Sequence, residues 1–314
     1  MRRTSIVLGL AAALLVSACG SSGSAPSSGT GAGSPAASAA PSLSGQGASV
    51  IPVIVSSRQV PGPNRFVFSF LDPETNLPAA SPDRKASVAF IPPGETQPGT
   101  AVEAEFVWAI EGQRGDYIAN VDFPAPGDWK AVFITEAPGA KQEAIGVDFQ
   151  VAESSPTVAI GAKAPATDNP TVASAGAINR VSTDTDPDPS FYELTVADAL
   201  AAKRPFMLVF ATPAFCQSAQ CGPTLDVVKA AAASAPDEVA FINVEPYQLE
   251  FVEGRLQPKL DANNQLQPVE SVNEWGILTE PWIFAVDADG IVRGSFEGVI
   301  SETELKDAIA EIAG

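Results

Sequence analysis

Histidine is absent from the 314 residues. The side chain that titrates nearest neutrality, and the commonest metal ligand, are therefore both missing, which excludes imidazole proton shuttles and imidazole-bound metals. Basic residues are scarce. Eighteen Lys and Arg stand against 37 Asp and Glu, a formal charge of −19. So acidic a chain lacks the cationic surface that a nucleic-acid backbone requires, and the same deficit argues against electrostatic attachment to anionic lipid. Residues 50–153 contain no His, Cys or Met, so no imidazole or soft sulfur ligand for copper exists there. The apolar run over residues 6–16 is too short for a comfortable transmembrane helix. These absences imply no resident cofactor and no metal.

The N-terminus holds Arg2 and Arg3, that apolar run, and then Val16-Ser17-Ala18-Cys19. Small residues before a cysteine at this place resemble the bacterial lipoprotein signal. The resemblance implies cleavage after Ala18, lipidation of Cys19 and attachment to the extracytoplasmic face of the cell membrane; an ordinary secretory peptide cut near Ala18 is the plainer reading. Lipidation would consume Cys19 and leave Cys216 and Cys221 as one pair. The expected compartment permits disulfides.

Composition divides the rest. After a signal peptide over residues 1–18, residues 19–49 are mostly Gly, Ser, Ala and Pro, too poor in large side chains to offset ordering entropy, and are expected to be a disordered tether. Residues 50–153 alternate short apolar runs with turn signals such as Pro61-Gly62 and Pro126-Gly127-Asp128. Seven strands are expected, in an all-β sandwich of immunoglobulin-like type, with Trp108, Phe123, Trp129, Phe133 and Phe149 as core candidates. Residues 154–190 are polar and proline-bearing and predict a solvated linker. The alternating acids Asp184, Asp186 and Asp188 are interrupted by Pro187, which argues against a calcium loop. Residues 191–314 predict an α/β domain. Its expected parts are a helix from Val196 capped by Ser190 or Thr195, a buried strand Phe206-Met207-Leu208-Val209-Phe210, a helix over residues 222–233 and a strand over 239–244. A helix over 251–260, a hairpin turning at Asp287-Ala288-Asp289-Gly290 and a last helix with Ser301 and Glu304 as a capping box complete it.

Cys216-Gln217-Ser218-Ala219-Gln220-Cys221 follows the first of these strands. With Trp275-Gly276-Ile277-Leu278-Thr279-Glu280-Pro281-Trp282-Ile283-Phe284 and the hairpin after it, this arrangement resembles the thioredoxin superfamily, nearest its membrane-anchored bacterial thiol–disulfide oxidoreductase branches. Gly161-Ala162-Lys163-Ala164-Pro165 resembles the lead-in of the same branches. The resemblance covers roughly residues 191–312. It implies that Cys216 is the attacking thiol, that Cys221 resolves the mixed disulfide, and that Pro281 is a cis proline whose neighbour Glu280 lies beside the thiols and docks a polypeptide substrate. A second alignment matches Cys221-Gly222-Pro223-Thr224 to the family motif, with Thr224 in place of the second cysteine.

Two departures accompany the resemblance. The family spacing would put the partner cysteine at Ala219, and the position of the family's buried acid, near Phe210, is apolar. A five-residue helical step turns side chains about 140° apart, so a disulfide needs non-helical backbone at residues 217–220. The absence of His disfavours copper chaperoning, and no matching Arg supports a peroxidase. The leading expectation is extracytoplasmic protein thiol–disulfide exchange, with cysteine-containing envelope proteins as substrates or electron donors and no nucleic-acid partner. The alternative is a non-catalytic envelope binding protein in which Cys216–Cys221 is a structural staple.

Overall fold

The computed structural model describes residues 47–314. Cys19, the signal peptide and most of the tether lie outside these residues. Among the described residues, no helix is long and apolar enough to cross a membrane.

The alternation of apolar residues over 50–153 produces eight strands: β1 (Ile51–Ile54), β2 (Gly62–Leu71), β3 (Lys85–Ile91), β4 (Val102–Glu103), β5 (Glu105–Ile110), β6 (Arg114–Phe123), β7 (Gly127–Glu136) and β8 (Glu143–Val151). They form two antiparallel sheets, ordered β1-β2-β6-β5 and β4-β3-β7-β8. The sequence predicts seven strands because residues 102–110 look continuous. The run instead divides at Ala104, whose N–H bonds the Ala86 carbonyl, so that β4 joins β3 while β5 joins β6. One apolar run thus serves both sheets.

Between the sheets, Phe66, Phe68, Phe70, Tyr117, Phe123, Trp129 and Phe133 are buried. Phe68 packs against Phe133 with ring centroids 4.9 Å apart and against Tyr117 at 5.5 Å. Without a disulfide in this region, these rings supply the cohesion, each contributing about 1.5–3 kcal/mol by burial. Phe149 packs against the same cluster. Trp108 does not belong to it: it lies half-buried on edge strand β5, edge-on to Phe106 at 4.9 Å.

Strand β2 departs from simple alternation because both its faces are covered. Its Phe residues face the sandwich, while Val67, with Ala109 and Ile118, packs against Val299 of the C-terminal part. Arg65 secures the same contact, donating to both carboxylate oxygens of Glu304 at 2.6 and 3.0 Å and to the backbone carbonyls of Glu297 and Val299.

The C-terminal part is built on a mixed four-stranded sheet, ordered β10-β9-β13-β14. Its strands are β9 (Phe206–Phe210), β10 (Ala240–Val244), β13 (Trp282–Val286) and β14 (Val292–Glu297). β10 runs parallel to β9, and β13 runs antiparallel to it. All residues of β9, β10 and β13 are buried, as expected of a sheet covered on both faces. One face carries Met207 and Val209 against α3 (Cys221–Ala232) and α5 (Glu302–Ala313). The other carries Phe206, Leu208 and Phe210 against α2 (Val196–Ala201) and α4 (Glu270–Trp275). Capping boxes start two of these helices, Thr195 with Asp198 and Ser301 with Glu304.

Two further expectations are corrected. Residues 251–260 form no helix; β11 (Leu249–Val252) and β12 (Arg255–Pro258) form a hairpin. Glu253 and Gly254 both have positive φ, the backbone that a two-residue hairpin turn needs and a helix forbids. Residues 154–190 are not a solvated linker. Gly161 N–H bonds the Val292 carbonyl and Val292 N–H bonds the Ala162 carbonyl, so the segment covers the free edge of β14. Further on it contains α1 (Val172–Ala175) and buries Thr167, Asn169 and Thr171. Asp184, near its end, pairs with Lys229 of α3 at 2.7 Å.

Candidate disulfide site

Strand β9 ends at Phe210 and the chain turns through buried Ala211 and Thr212 before it reaches Cys216. Helix α3 begins only at Cys221. Between them, Ala219 N–H bonds the Cys216 carbonyl, and Ala219 has φ of 59°. This non-helical loop removes the 140° problem: the two Cα atoms lie 5.9 Å apart, and Cys216 and Cys221 form a disulfide. The sulfurs differ in access. Cys216 is half-buried, whereas Cys221 is fully buried against Leu225 and the sheet.

Helix α3 has no side-chain N-cap. Its first N–H, that of Cys221, points at Cys216 Sγ at 3.2 Å. Ser218 Oγ lies 3.3 Å from the same sulfur. An N–H at a helix N-terminus and a hydroxyl are the groups that favour thiolate over thiol.

The Glu280–Pro281 peptide bond is cis, and this segment forms the opposite wall. The Ser218 hydroxyl donates to the Glu280 carbonyl and Gln217 N–H donates to Glu280 Oε1, each at 3.4 Å. Tyr247 donates its hydroxyl to Glu280 Oε2 at 2.7 Å. Burial, and then the neighbouring Glu280 carboxylate, push the Tyr247 phenol up, so it stays a donor. Ligating atoms of Cys216, Cys221 and Glu280 lie within 4.8 Å of one another. While the disulfide is closed its sulfurs are bonded to each other, and only the carboxylate is free to ligate. Cys216, Cys221, Glu280 and Pro281 are thus brought together; Cys19 lies outside the described residues.

Two buried acids and one half-buried acid near this region carry no mark in the sequence. Asp116, on β6, is 0 % exposed, and burial raises its carboxyl above the usual range against the opposing pull of Arg114. Glu297, at the end of β14, is also raised by burial. Glu245 follows β10 and is pushed up to about 7 by burial, opposed by the nearby Thr212 and Thr183. Thr183 N–H donates to its Oε1 at 2.6 Å, while its Oε2 and the Thr212 hydroxyl have no partner in hydrogen-bond geometry. With Asn243 and Tyr247, Glu245 lines a cavity of about 470 Å³. Single acids beside strands carry no sequence signature of burial. The available hint is position: Glu245 directly follows Ala240-Phe241-Ile242-Asn243-Val244, a strand run in which Asn243 is the one polar residue.

No protein-family model matches the chain, and no curated protein matches it.

Proposed function

We propose that the chain is an extracytoplasmic, lipid-anchored protein that performs thiol–disulfide exchange through Cys216 and Cys221, on a thioredoxin-like domain joined to an immunoglobulin-like sandwich. The observation that carries this reading is the asymmetry of the pair: the accessible sulfur, Cys216, receives the first N–H of α3, while Cys221 is buried behind it. That arrangement supports Cys216 as the exchanging sulfur and favours the first of the two alignments.

In the exchange, a substrate thiolate attacks Cys216 Sγ, the Cys216–Cys221 bond breaks, and Cys221 leaves as a thiolate that takes up a proton. A second substrate thiolate attacks the substrate sulfur of the mixed disulfide and releases Cys216. The substrate gains a disulfide and the pair becomes a dithiol; run in reverse, the pair reduces a substrate. The cis Glu280–Pro281 wall would dock the substrate backbone, and Glu280 would favour a segment without acids of its own. Cysteine-containing envelope proteins are the proposed substrates or electron donors.

The second reading is a non-catalytic envelope binding protein whose disulfide staples the start of α3, and the complete burial of Cys221 favours it. Exchange with a thiol peptide separates the two. A Cys216→Ser variant should lose exchange, and a Cys221→Ser variant should trap the peptide on Cys216. A reduction potential below about −300 mV with no exchange would establish the staple. Trapping on Cys221 instead would overturn the assignment of roles.

A further inference from the structure

Contacts from the sandwich converge on both walls of the disulfide site. On the cysteine wall, Arg114 Nη1 donates to the Ser218 carbonyl at 3.4 Å, and Gln220 Nε2 donates to Asp116 Oδ2 at 3.4 Å. Ser218 and Gln220 both belong to the loop between the cysteines. On the proline wall, Ser57 N–H donates to the Glu297 carboxylate at 2.9 Å, and Thr279, the residue before Glu280, donates its hydroxyl to the same carboxylate at 3.0 Å. Gly298 N–H then donates to the Pro281 carbonyl at 2.9 Å.

Asp116 is the member that a mere spacer domain would not contain. Its side chain is wholly buried and its Oδ1 has no partner, a desolvation cost that replacement by an apolar residue would avoid. The one side chain from the C-terminal part bonded to it is Gln220, which directly precedes Cys221. Gln220 is itself 3 % exposed and stands at the N-cap of α3 without capping it. Its side chain is committed to the sandwich instead.

We infer that the sandwich is a working part of the exchange site: Arg114 and Asp116 are positioning residues that hold the loop of residues 217–220 in the arrangement in which Cys216 and Cys221 bond to each other. The inference rests on the exchange reading for its biological meaning. Its physical content is independent of that reading. The two tethers are made in the disulfide form, where Ala219 is held at positive φ. Opening the disulfide releases the loop from that closure. Tethers that favour the closed loop therefore shift the redox equilibrium toward the disulfide.

The test is the equilibrium of the intact chain with dithiothreitol: the reagent dithiol gives two electrons and two protons to the Cys216–Cys221 bond, yielding the protein dithiol and oxidised dithiothreitol. Gln220→Ala and Asp116→Ala should each shift this equilibrium about 5-fold toward the dithiol, equivalent to about 20 mV for a two-electron couple. The double variant should shift it by about the same 5-fold, because both changes remove one interaction. Arg114→Met should shift the equilibrium in the same direction, by an amount coupled to Asp116 because the two charges interact. Circular dichroism confirms that each variant is folded. Should Asp116→Ala fail to fold, Gln220→Ala decides the matter, since it leaves the sandwich intact.

Folded variants with an unchanged equilibrium, or a double variant whose shift is the product of the two, would overturn the inference. Because the reagent is a small dithiol, failure of the exchange reading is seen separately, as a wild-type chain that equilibrates with dithiothreitol but exchanges with no thiol peptide.

Discussion

Replacing Glu245 by Gln should stabilise the protein, and only where the carboxyl would be charged. In the fold, burial holds this carboxyl at about 7, against an ordinary value of 4.5. A buried acid whose folded pKa lies above its unfolded value binds more protons when folded, so its contribution to stability falls as pH rises from the lower value through the higher one. Above that window the penalty is constant. A difference of about 2.5 pKa units corresponds to about 3 kcal/mol at about pH 8, and to about 1 kcal/mol or less at about pH 5.

The amide also suits the local geometry. Its oxygen can keep the bond from Thr183 N–H, and its Nε2 replaces the unpartnered Oε2 beside the Thr212 hydroxyl, which can accept from it. Urea unfolding of both proteins at about pH 5 and about pH 8 measures the effect as a change in midpoint at constant slope. The expected gain for Glu245→Gln is about 2 to 3 kcal/mol larger at the higher pH. A variant less stable than the parent at about pH 8, or one with the same gain at both pH values, would refute the reasoning. Asp116 and Glu297 are raised in the same direction, so the variant should retain some pH slope.

Phe68→Ala should cost about 3–5 kcal/mol in the same unfolding assay, because the ring is fully buried against Phe70, Tyr117 and Phe133. Arg65→Met should cost about 3 kcal/mol, since it leaves the Glu304 carboxylate with its Ser301 N–H but no cation, and takes the donor from two backbone carbonyls at the contact between sandwich and sheet; a change under about 1 kcal/mol would mean that the apolar contact at Val67 and Val299 suffices. Ala219→Gly should stabilise the disulfide form by about 1 kcal/mol, because a residue at φ of 59° pays for its Cβ; a thermal melt of the oxidised protein measures this, and a lower melting temperature would contradict it.

Much of the local structure is legible in the sequence because its causes are local. Thr195 with Asp198 and Ser301 with Glu304 mark helix starts by their spacing alone. The run Phe206-Met207-Leu208-Val209-Phe210 marks a strand covered on both faces, and the cysteines after it mark where chemistry is worth seeking. Over residues 251–260 the apolar spacing fits a helix, but the pair Glu253-Gly254 at the turn decides for a hairpin. Over residues 154–190 polarity suggests solvation, whereas Thr167 and Asn169 are buried with hydrogen bonds to Glu274, Leu194 and Val196.

By itself, then, the sequence determined an acidic, histidine-free chain, an all-β stretch followed by an α/β stretch, and one close cysteine pair after a buried strand. Each follows from composition or from periodicity within a few residues. Only the tertiary structure decided that Cys216 is the accessible sulfur and Cys221 the buried one. It also decided that β4 and β5 separate into different sheets, and that Asp116 reaches Gln220 across 104 positions of chain. Burial, desolvation and hydrogen bonding at such separations depend on which surfaces meet, and no local pattern carries that information.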